Sequence, residues 1–282
     1  MIDRRLFIGG LIGGAVSSLI LNNRNENKTR MPTVFIGHGS PMNAIEKNSF
    51  TDFLAALPQN LPQPTAILAV SAHWETRGSK VLKLEHPKTI HDFGGFPQAL
   101  FNIEYPAPGS VTLADRIAKI HPIEADSTWG LDHGTWSVLK HMYPKADIPV
   151  LQLSLNQNMN FADHLSLASE LKALRDEGVL IIGSGNITHN LRRIVWDENA
   201  APMEWAVEFD EMIKDALVNR NEAVLLGKEG KAKSLWTMAH PSLDHYLPLL
   251  YTFGASDKNE QVKFVYEGMQ NGSLSMRSLV FG

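Results

Sequence analysis

The stretch TAILAVSAHWETRG (residues 65–78) joins a short apolar run directly to a histidine and a tryptophan. Short apolar runs bounded by turn-forming residues are typical of strands buried inside a sheet. Two other runs end in the same way, in TVFIGHGSP (residues 33–41) and GVLIIGSGNITHN (residues 178–190). The sequence therefore predicts three buried strands that are each followed within a few residues by a histidine: His38, His73 and His189.

The apolar runs alternate with helical patterns along the chain. They occupy residues 33–36, 66–70, 150–155, 179–182 and 262–266. Apolar residues at helical spacing predict helices over residues 163–177, ended by Gly178, and over residues 203–218. After an atypical N-terminus about 250 residues remain, which suits one hydrophobic core. We therefore predict an α/β fold, a single domain with a central sheet flanked by helices.

The composition excludes several classes of function. A net charge of −4, with basic residues scattered along the chain, gives no surface for nucleic acid, and we expect no nucleic-acid partner. The chain has no cysteine, which excludes disulfides, thiolate zinc sites and cysteine nucleophiles. Any metal must therefore be held by histidine or carboxylate side chains, and eleven histidines are present.

The first 30 residues differ from the rest. Arg4 and Arg5 precede an apolar, glycine-rich stretch (residues 6–21), and a polar segment follows (residues 22–30). This pattern favours a twin-arginine-type export signal, or an uncleaved membrane anchor, joined by a tether to a folded domain over residues 31–282. It implies contact with export machinery, possible membrane attachment and a periplasmic or exported location. A cytoplasmic protein with a hydrophobic N-terminus is the alternative.

The three histidines after strands point to a metal. In open α/β sheets ligands bind outside the carboxyl ends of the strands, where loops from several strands converge. A cluster of neutral imidazoles is hard to explain unless a cation lies between them, and zinc, iron(II) and copper all accept this ligand. His245 opens an apolar helical segment behind Asp244 and is a further candidate, in competition with His240.

His133 is a candidate proton carrier. It lies in WGLDHGTW (residues 129–136), at the predicted start of a helix, where a neighbouring carboxylate could fix its tautomer. The alternative is a helix-capping turn in which the histidine is incidental. The irregular, aromatic stretch over residues 91–110 is predicted to be a loop that contacts substrate. The chain has no GxSxG, P-loop or HExxH motif.

With these residues assembled, the chain resembles the class III extradiol ring-cleaving dioxygenases of the LigB type, and within them the 4,5-DOPA dioxygenase-like branch. The resemblance covers residues 31–282. It rests on eight ordered motifs: GHGSPMNA, SAHW, DFGGFPQALF, YPAPG, WGLDHGTW, SGNITHNL, DHYLPLLY and GSLSMRS. It implies a mixed sheet with a metal pocket at the strand ends, a catechol-type aromatic substrate and O2.

The resemblance also implies a set of site residues. The metal ligands would be His38, His73 and His245, with His189 in or beside the coordination shell, and His133 and His189 would carry the acid/base chemistry. Well-studied relatives hold iron(II) with two histidines and a carboxylate, whereas here His245 stands where that carboxylate would be. An all-histidine set also suits zinc(II), so either Fe(II) or Zn(II) is expected. Asp244 is an alternative ligand.

Two other functions fit the same residues. A zinc-dependent hydrolase would use a metal-bound water in place of O2, and a non-catalytic protein would only bind the metal. Four aromatic side chains are candidate walls for a substrate ring, with a place in the core as the alternative for each: Phe93, Phe96, Trp74 and Trp136.

Overall fold

The computed structural model describes residues 30–197, 199–229 and 233–282. In this part of the chain ten strands alternate with nine α-helices. The strands are β1 (Thr33–Gly37), β2 (Ala66–Thr76), β3 (Ser79–Leu82), β4 (Ile123–Asp126), β5 (Val150–Asn156), β6 (Val179–Gly185), β7 (Val262–Tyr266), β8 (Met269–Gln270), β9 (Leu274–Ser275) and β10 (Ser278–Phe281). The helices are α1 (Ser49–Ala56), α2 (Gln98–Phe101), α3 (Val111–Ile117), α4 (His133–Met142), α5 (Phe161–Glu170), α6 (Glu204–Val218), α7 (Glu222–Leu225), α8 (Lys233–Ala239) and α9 (Leu247–Gly254).

Eight of the strands form one mixed sheet. Their order is β4-β3-β5-β2-β6-β1-β10-β7. The four central strands β5, β2, β6 and β1 are parallel, whereas β10 pairs antiparallel with both β1 and β7, and β3 pairs antiparallel with β5. The predicted mixed sheet is confirmed. Because the central strands are parallel, the carboxyl ends of β1, β2 and β6 lie at the same edge of the sheet.

Helices cover both faces of this sheet, which explains why the central strands are buried and rich in apolar residues. On one face α5, α6 and α9 pack with side chains such as Leu167, Phe209 and Leu250. On the other face α1 and α4 contribute Leu54 and Trp136, among others. The site described below lies at the strand ends between these two layers.

The helix predicted over residues 163–177 divides into two parts. It begins as α5, whose N-terminal cap is Asn160 with Asp163 completing a capping box, and it continues as a 3-10 helix over Leu171–Glu177. Gly178 ends it with φ of +86°, a conformation that favours glycine. The helix predicted over residues 203–218 is confirmed as α6, which begins one residue later.

The predicted export signal or anchor needs correction, and the tether predicted after it stays a prediction. They occupy residues 1–30, and all but Arg30 lie outside the described residues. Across the ranges that are described, no helix combines the length and apolar character needed to cross a membrane. Residues 6–21 are also short and rich in glycine for a span. The structure thus shows neither a signal peptide nor a membrane helix in the part it describes, and the signal assignment is not supported, whereas the periplasmic or exported location stays a prediction.

Candidate metal centre

Two of the predicted histidines lie at the same edge of the sheet, at the carboxyl ends of the strands on either side of β6. His38 directly follows β1, and its backbone N–H donates to the carbonyl of Gly185 (3.0 Å), which extends the pairing with β6 by one residue. His73 lies within β2, where the register with β5 shifts between Val70 and Glu75. A shift of this kind interrupts the ladder and redirects the side chains at that point. His73 is half-buried in this irregular stretch, whereas the other residues of SAHW are buried.

His245 approaches from the other side, just before α9. The backbone N–H of Asn186 donates to its carbonyl oxygen (2.9 Å). Gly185 lies against the same carbonyl so closely that a Cβ built on Gly185 would come within 2.2 Å of that oxygen. The glycine at the end of β6 therefore sets how near His245 comes to His38 and His73.

This close approach predicts a specific defect. Gly185→Ala should lower the free energy of unfolding by about 1–3 kcal/mol, because the segment that carries His245 must move away. It should also weaken metal binding, which thermal unfolding with and without metal will measure. Gly268→Ala is the control, since its nearest neighbour would be 3.7 Å away. An unchanged melting temperature and metal affinity in Gly185→Ala would contradict this account.

Three imidazoles meet at one point. The Nε2 atoms of His38 and His73 are 3.2 Å apart. One ring nitrogen from each of His38, His73 and His245 lies within 4.8 Å of the others. His189 lies beside this group: its ring stacks on that of His245 at 3.4 Å with an interplanar angle of 3°. The three histidines that come together, His38, His73 and His245, are among the candidates from the sequence analysis, and His189 lies next to them.

Hydrogen bonds fix the tautomers of two of these rings. The hydroxyl of Ser184 donates to the carbonyl of Gly134 (2.6 Å), so it must accept from Nδ1–H of His38 (2.9 Å). Nδ1–H of His245 donates to Oδ2 of Asp244 (2.5 Å). In both rings the lone pair is left on Nε2, the nitrogen available to a metal. Asp244 therefore orients a candidate ligand, and it lies outside the three-histidine donor group.

Burial keeps these rings uncharged. Desolvation, followed by the neighbouring histidines, lowers the pKa of His38 and of His245 well below the ordinary value. Desolvation, followed by the nearby His133, lowers the pKa of His73 to about 3. For His189, desolvation lowers the pKa to about 4. At neutral pH all four imidazoles can therefore offer a lone pair.

The three-histidine group fits a metal ion. Two nitrogens that each lie about 2.1 Å from one tetrahedral ion are about 3.4 Å apart, close to the 3.2 Å between the Nε2 atoms of His38 and His73. Lone pairs that face each other at this distance repel unless a proton or a cation lies between them. Neutral imidazoles suit both iron(II) and zinc(II).

His133 lies beside this group, and the carboxylate that holds its ring is not that of the adjacent Asp132. It begins α4, and the side chain of Asp132 caps that helix by accepting from the backbone N–H of Thr135 (3.1 Å). The ring of His133 bonds to Asp92 instead, with 2.9 Å between Nδ1 and Oδ2. Asp132 is fully buried and bonds to Gln152. Asp92 was placed by sequence in a motif and a substrate-contacting loop but was not paired with His133, because the two residues are 41 positions apart.

The histidines line a pocket of about 370 Å³, a size suited to a small organic ligand. Its apolar lining includes Phe93, Phe96, Leu191, Ile194 and Trp196. The predicted walls Trp74 and Trp136 belong to the core instead, with 3% and 0% of their surface exposed. Part of the loop over residues 91–110 lines the pocket, as predicted. Trp196, which the sequence analysis did not single out, is 88% exposed at the pocket.

His240 does not compete with His245 for the metal. It is buried outside the pocket lining, and its Nε2 lies 2.6 Å from the carbonyl oxygen of Ile187. Its ring contacts the aromatic side chains of Phe209, Trp236 and Tyr246. His240 is therefore a core residue.

Comparison with known proteins identifies the family. Residues 32–282 match the family model described as "Catalytic LigB subunit of aromatic ring-opening dioxygenase". The chain belongs to the LigB family. A relative from Escherichia coli K12 named "4,5-DOPA dioxygenase extradiol" is 47% identical over 91% of this chain and 96% of its own length. A protein of the same name from Beta vulgaris is 39% identical over 88% of this chain and 96% of its own length.

The fold agrees with this membership. The crystal structure of an uncharacterized protein from Escherichia coli K12 is similar with a TM-score of 0.78 and 41% identity, over 90% of this chain and 100% of that one. As a LigB family member the chain is an extradiol ring-cleaving dioxygenase, an enzyme that depends on a metal and acts on a small aromatic substrate and O2. The hydrolase and the non-catalytic metal protein are not favoured.

Proposed function

We propose that this enzyme opens the ring of a DOPA-like catechol with O2, and that His38, His73 and His245 hold its divalent metal. The observation that carries the proposal is the meeting of three uncharged imidazoles, each from a different part of the chain, beside a pocket with aromatic walls. Several relatives are named as DOPA dioxygenases, which supports DOPA as the first substrate to test.

The metal we propose for catalysis is iron(II), and zinc(II) is expected to bind the same three nitrogens. When bound, iron(II) supplies the redox and Lewis-acid chemistry that lets a catechol react with O2. The protein contributes the neutral donor set and the fixed orientation of each ring. Ser184 and Asp244 provide that orientation by accepting the Nδ1 protons of His38 and His245.

Two further histidines are proposed to move protons. Nδ1 of His133 is held by Asp92, so Nε2 is the atom left to exchange a proton with the substrate. His189 is uncharged at neutral pH and can accept a proton from a catechol hydroxyl. Acid/base assistance of this kind contributes about 10²- to 10⁴-fold to a rate. The apolar side chains of Phe93, Phe96 and Ile194 restrict water around the substrate.

The reaction balances without a further reductant. One carbon–carbon bond of the ring breaks beside a hydroxyl-bearing carbon, and both atoms of O2 enter the product. One of the separated carbons becomes a carboxylate and the other a carbonyl, while the ring electrons reduce the O2. An oxygen electrode should therefore record one O2 consumed per catechol.

The test is oxygen uptake by enzyme purified without air and loaded with iron(II). With DOPA or 4-methylcatechol we expect stoichiometric uptake and a yellow ring-opened product. Guaiacol, in which one hydroxyl is methylated, is the matched control and should give no uptake. Zinc-loaded enzyme should bind metal at the same stoichiometry but turn over no substrate. Absence of uptake with every catechol after iron loading would refute the proposed function.

A further inference from the structure

The carboxylate of Asp92 lies between two of the pocket histidines. Its Oδ1 accepts from the backbone N–H of His133 (2.8 Å), and its Oδ2 lies 2.9 Å from Nδ1 of the same residue. The same Oδ2 is 3.5 Å from Nδ1 of His73. The side chain of Asp92 is only 15% exposed, so water competes little for these contacts. One carboxylate thus contacts both a candidate metal ligand and a candidate proton carrier.

Two contacts to one residue constrain both the position and the tautomer of His133. The bond to the backbone N–H fixes the carboxylate relative to the start of α4, and the bond to Nδ1 then fixes the ring. An ionised carboxylate has only acceptors, so the shared proton lies on Nδ1 of His133. Nε2 of His133 is left without that proton and faces the remaining groups of the pocket.

Asp92 also belongs to a second possible metal group, with His73 and His133. A metal in that group would compete with the hydrogen bond between Nδ1 of His133 and Asp92. It would leave the Nε2 atoms of His38 and His73 facing each other at 3.2 Å with nothing between them. The three-histidine group removes that repulsion and keeps both oxygens of Asp92 in the hydrogen bonds they already make.

We propose that Asp92 is a positioning residue of the dioxygenase: it holds His133 in the Nδ1–H form, with Nε2 toward the substrate, and supports the same form of His73. The inference rests on the proposed function for its effect on turnover. Its effect on the two rings is independent of turnover, because the contacts exist in the protein without substrate.

The first measurement is the tautomer itself. In zinc-loaded wild-type enzyme, ¹⁵N-labelled on histidine, long-range ¹H–¹⁵N spectra should show the proton of His133 on Nδ1, with the His133→Gln variant assigning the signal. In Asp92→Asn the amide offers one acceptor oxygen where the carboxylate offers two, so the Nδ1–H signal should weaken or move to Nε2. A wild-type spectrum with the proton on Nε2 would overturn the proposal.

The second measurement separates positioning from metal binding. For iron-loaded Asp92→Asn we expect kcat to fall about 10- to 100-fold, KM to change less than about threefold, and metal content to stay at the wild-type stoichiometry. Asp92→Glu, which keeps a carboxylate, should recover part of the loss in kcat. Glu104→Gln removes one charge from the same loop at an exposed position and should behave as wild type.

The outcomes distinguish a failure of the positioning role of Asp92 from a failure of the proposed dioxygenase function. Loss of the metal from Asp92→Asn at concentrations that saturate the wild type would make Asp92 a ligand and overturn its positioning role. A wild-type kcat in Asp92→Asn, together with an unchanged tautomer of His133, would also overturn the positioning role. If the wild type cleaves no catechol, the proposed function fails, while the zinc-loaded spectra still decide the role of Asp92.

Discussion

His73→Ala is expected to abolish metal binding and with it all ring cleavage. His73 supplies one of the three nitrogens that lie within 4.8 Å of one another, and the loss of one of three ligands leaves only two to hold the ion. Elemental analysis after dialysis should find one metal per wild-type chain and less than about a tenth of that in the variant. Oxygen uptake with a catechol should fall to background.

Thermal unfolding of the same two proteins shows whether the variant is folded. A ligand that binds only the folded state at 100 times its Kd adds about 2.7 kcal/mol to the free energy of unfolding. Wild-type enzyme should therefore melt at a higher temperature with metal present, whereas His73→Ala should melt at the same temperature with and without it. His86→Ala, at an exposed position, is the matched control and should keep its metal. Full metal content in His73→Ala would refute the proposed centre.

His133→Gln is expected to lower kcat by about 10²- to 10⁴-fold while the metal stays bound. Glutamine is close to histidine in size and preserves polar contact, but it cannot exchange a proton at the position of Nε2. KM should change little, because Phe93, Phe96 and Trp196 still line the pocket. Steady-state oxygen uptake on the iron-loaded variant measures both constants.

His189→Gln provides the comparison for this second prediction. If both histidines move protons, each single variant should have a lower kcat than the wild type. The fold loss of kcat in the double variant should be smaller than the product of the two single losses, since both residues serve one reaction. Loss of metal from His133→Gln would point instead to the group formed by His73, Asp92 and His133. Unchanged kcat in both single variants would remove the acid/base assignment.

Four of the five predicted strands, β1, β2, β5 and β6, form the buried parallel centre of the sheet, and the fifth, β7, is a half-buried edge strand. Each predicted apolar run is a strand in the structure, and the central ones are rich in apolar residues because helices cover both of their faces. The short strands β3 and β4 escaped prediction because they lie toward one edge of the sheet and carry polar residues such as Lys80 and Glu124. Their partners are distant in the chain, and local periodicity does not encode such pairing.

The sequence by itself determined the apolar central strands of the sheet and the residue types that follow them. Both are local properties: an apolar run sets the strand, and the residues after it include the histidine. Only the tertiary structure decided which nitrogens face one another, that Asp92 and not Asp132 holds His133, and that Trp74 and Trp136 belong to the core. These depend on how the loop at residue 92, α4 and the segment before α9 pack together, and contacts between residues tens of positions apart leave no periodic pattern in the chain.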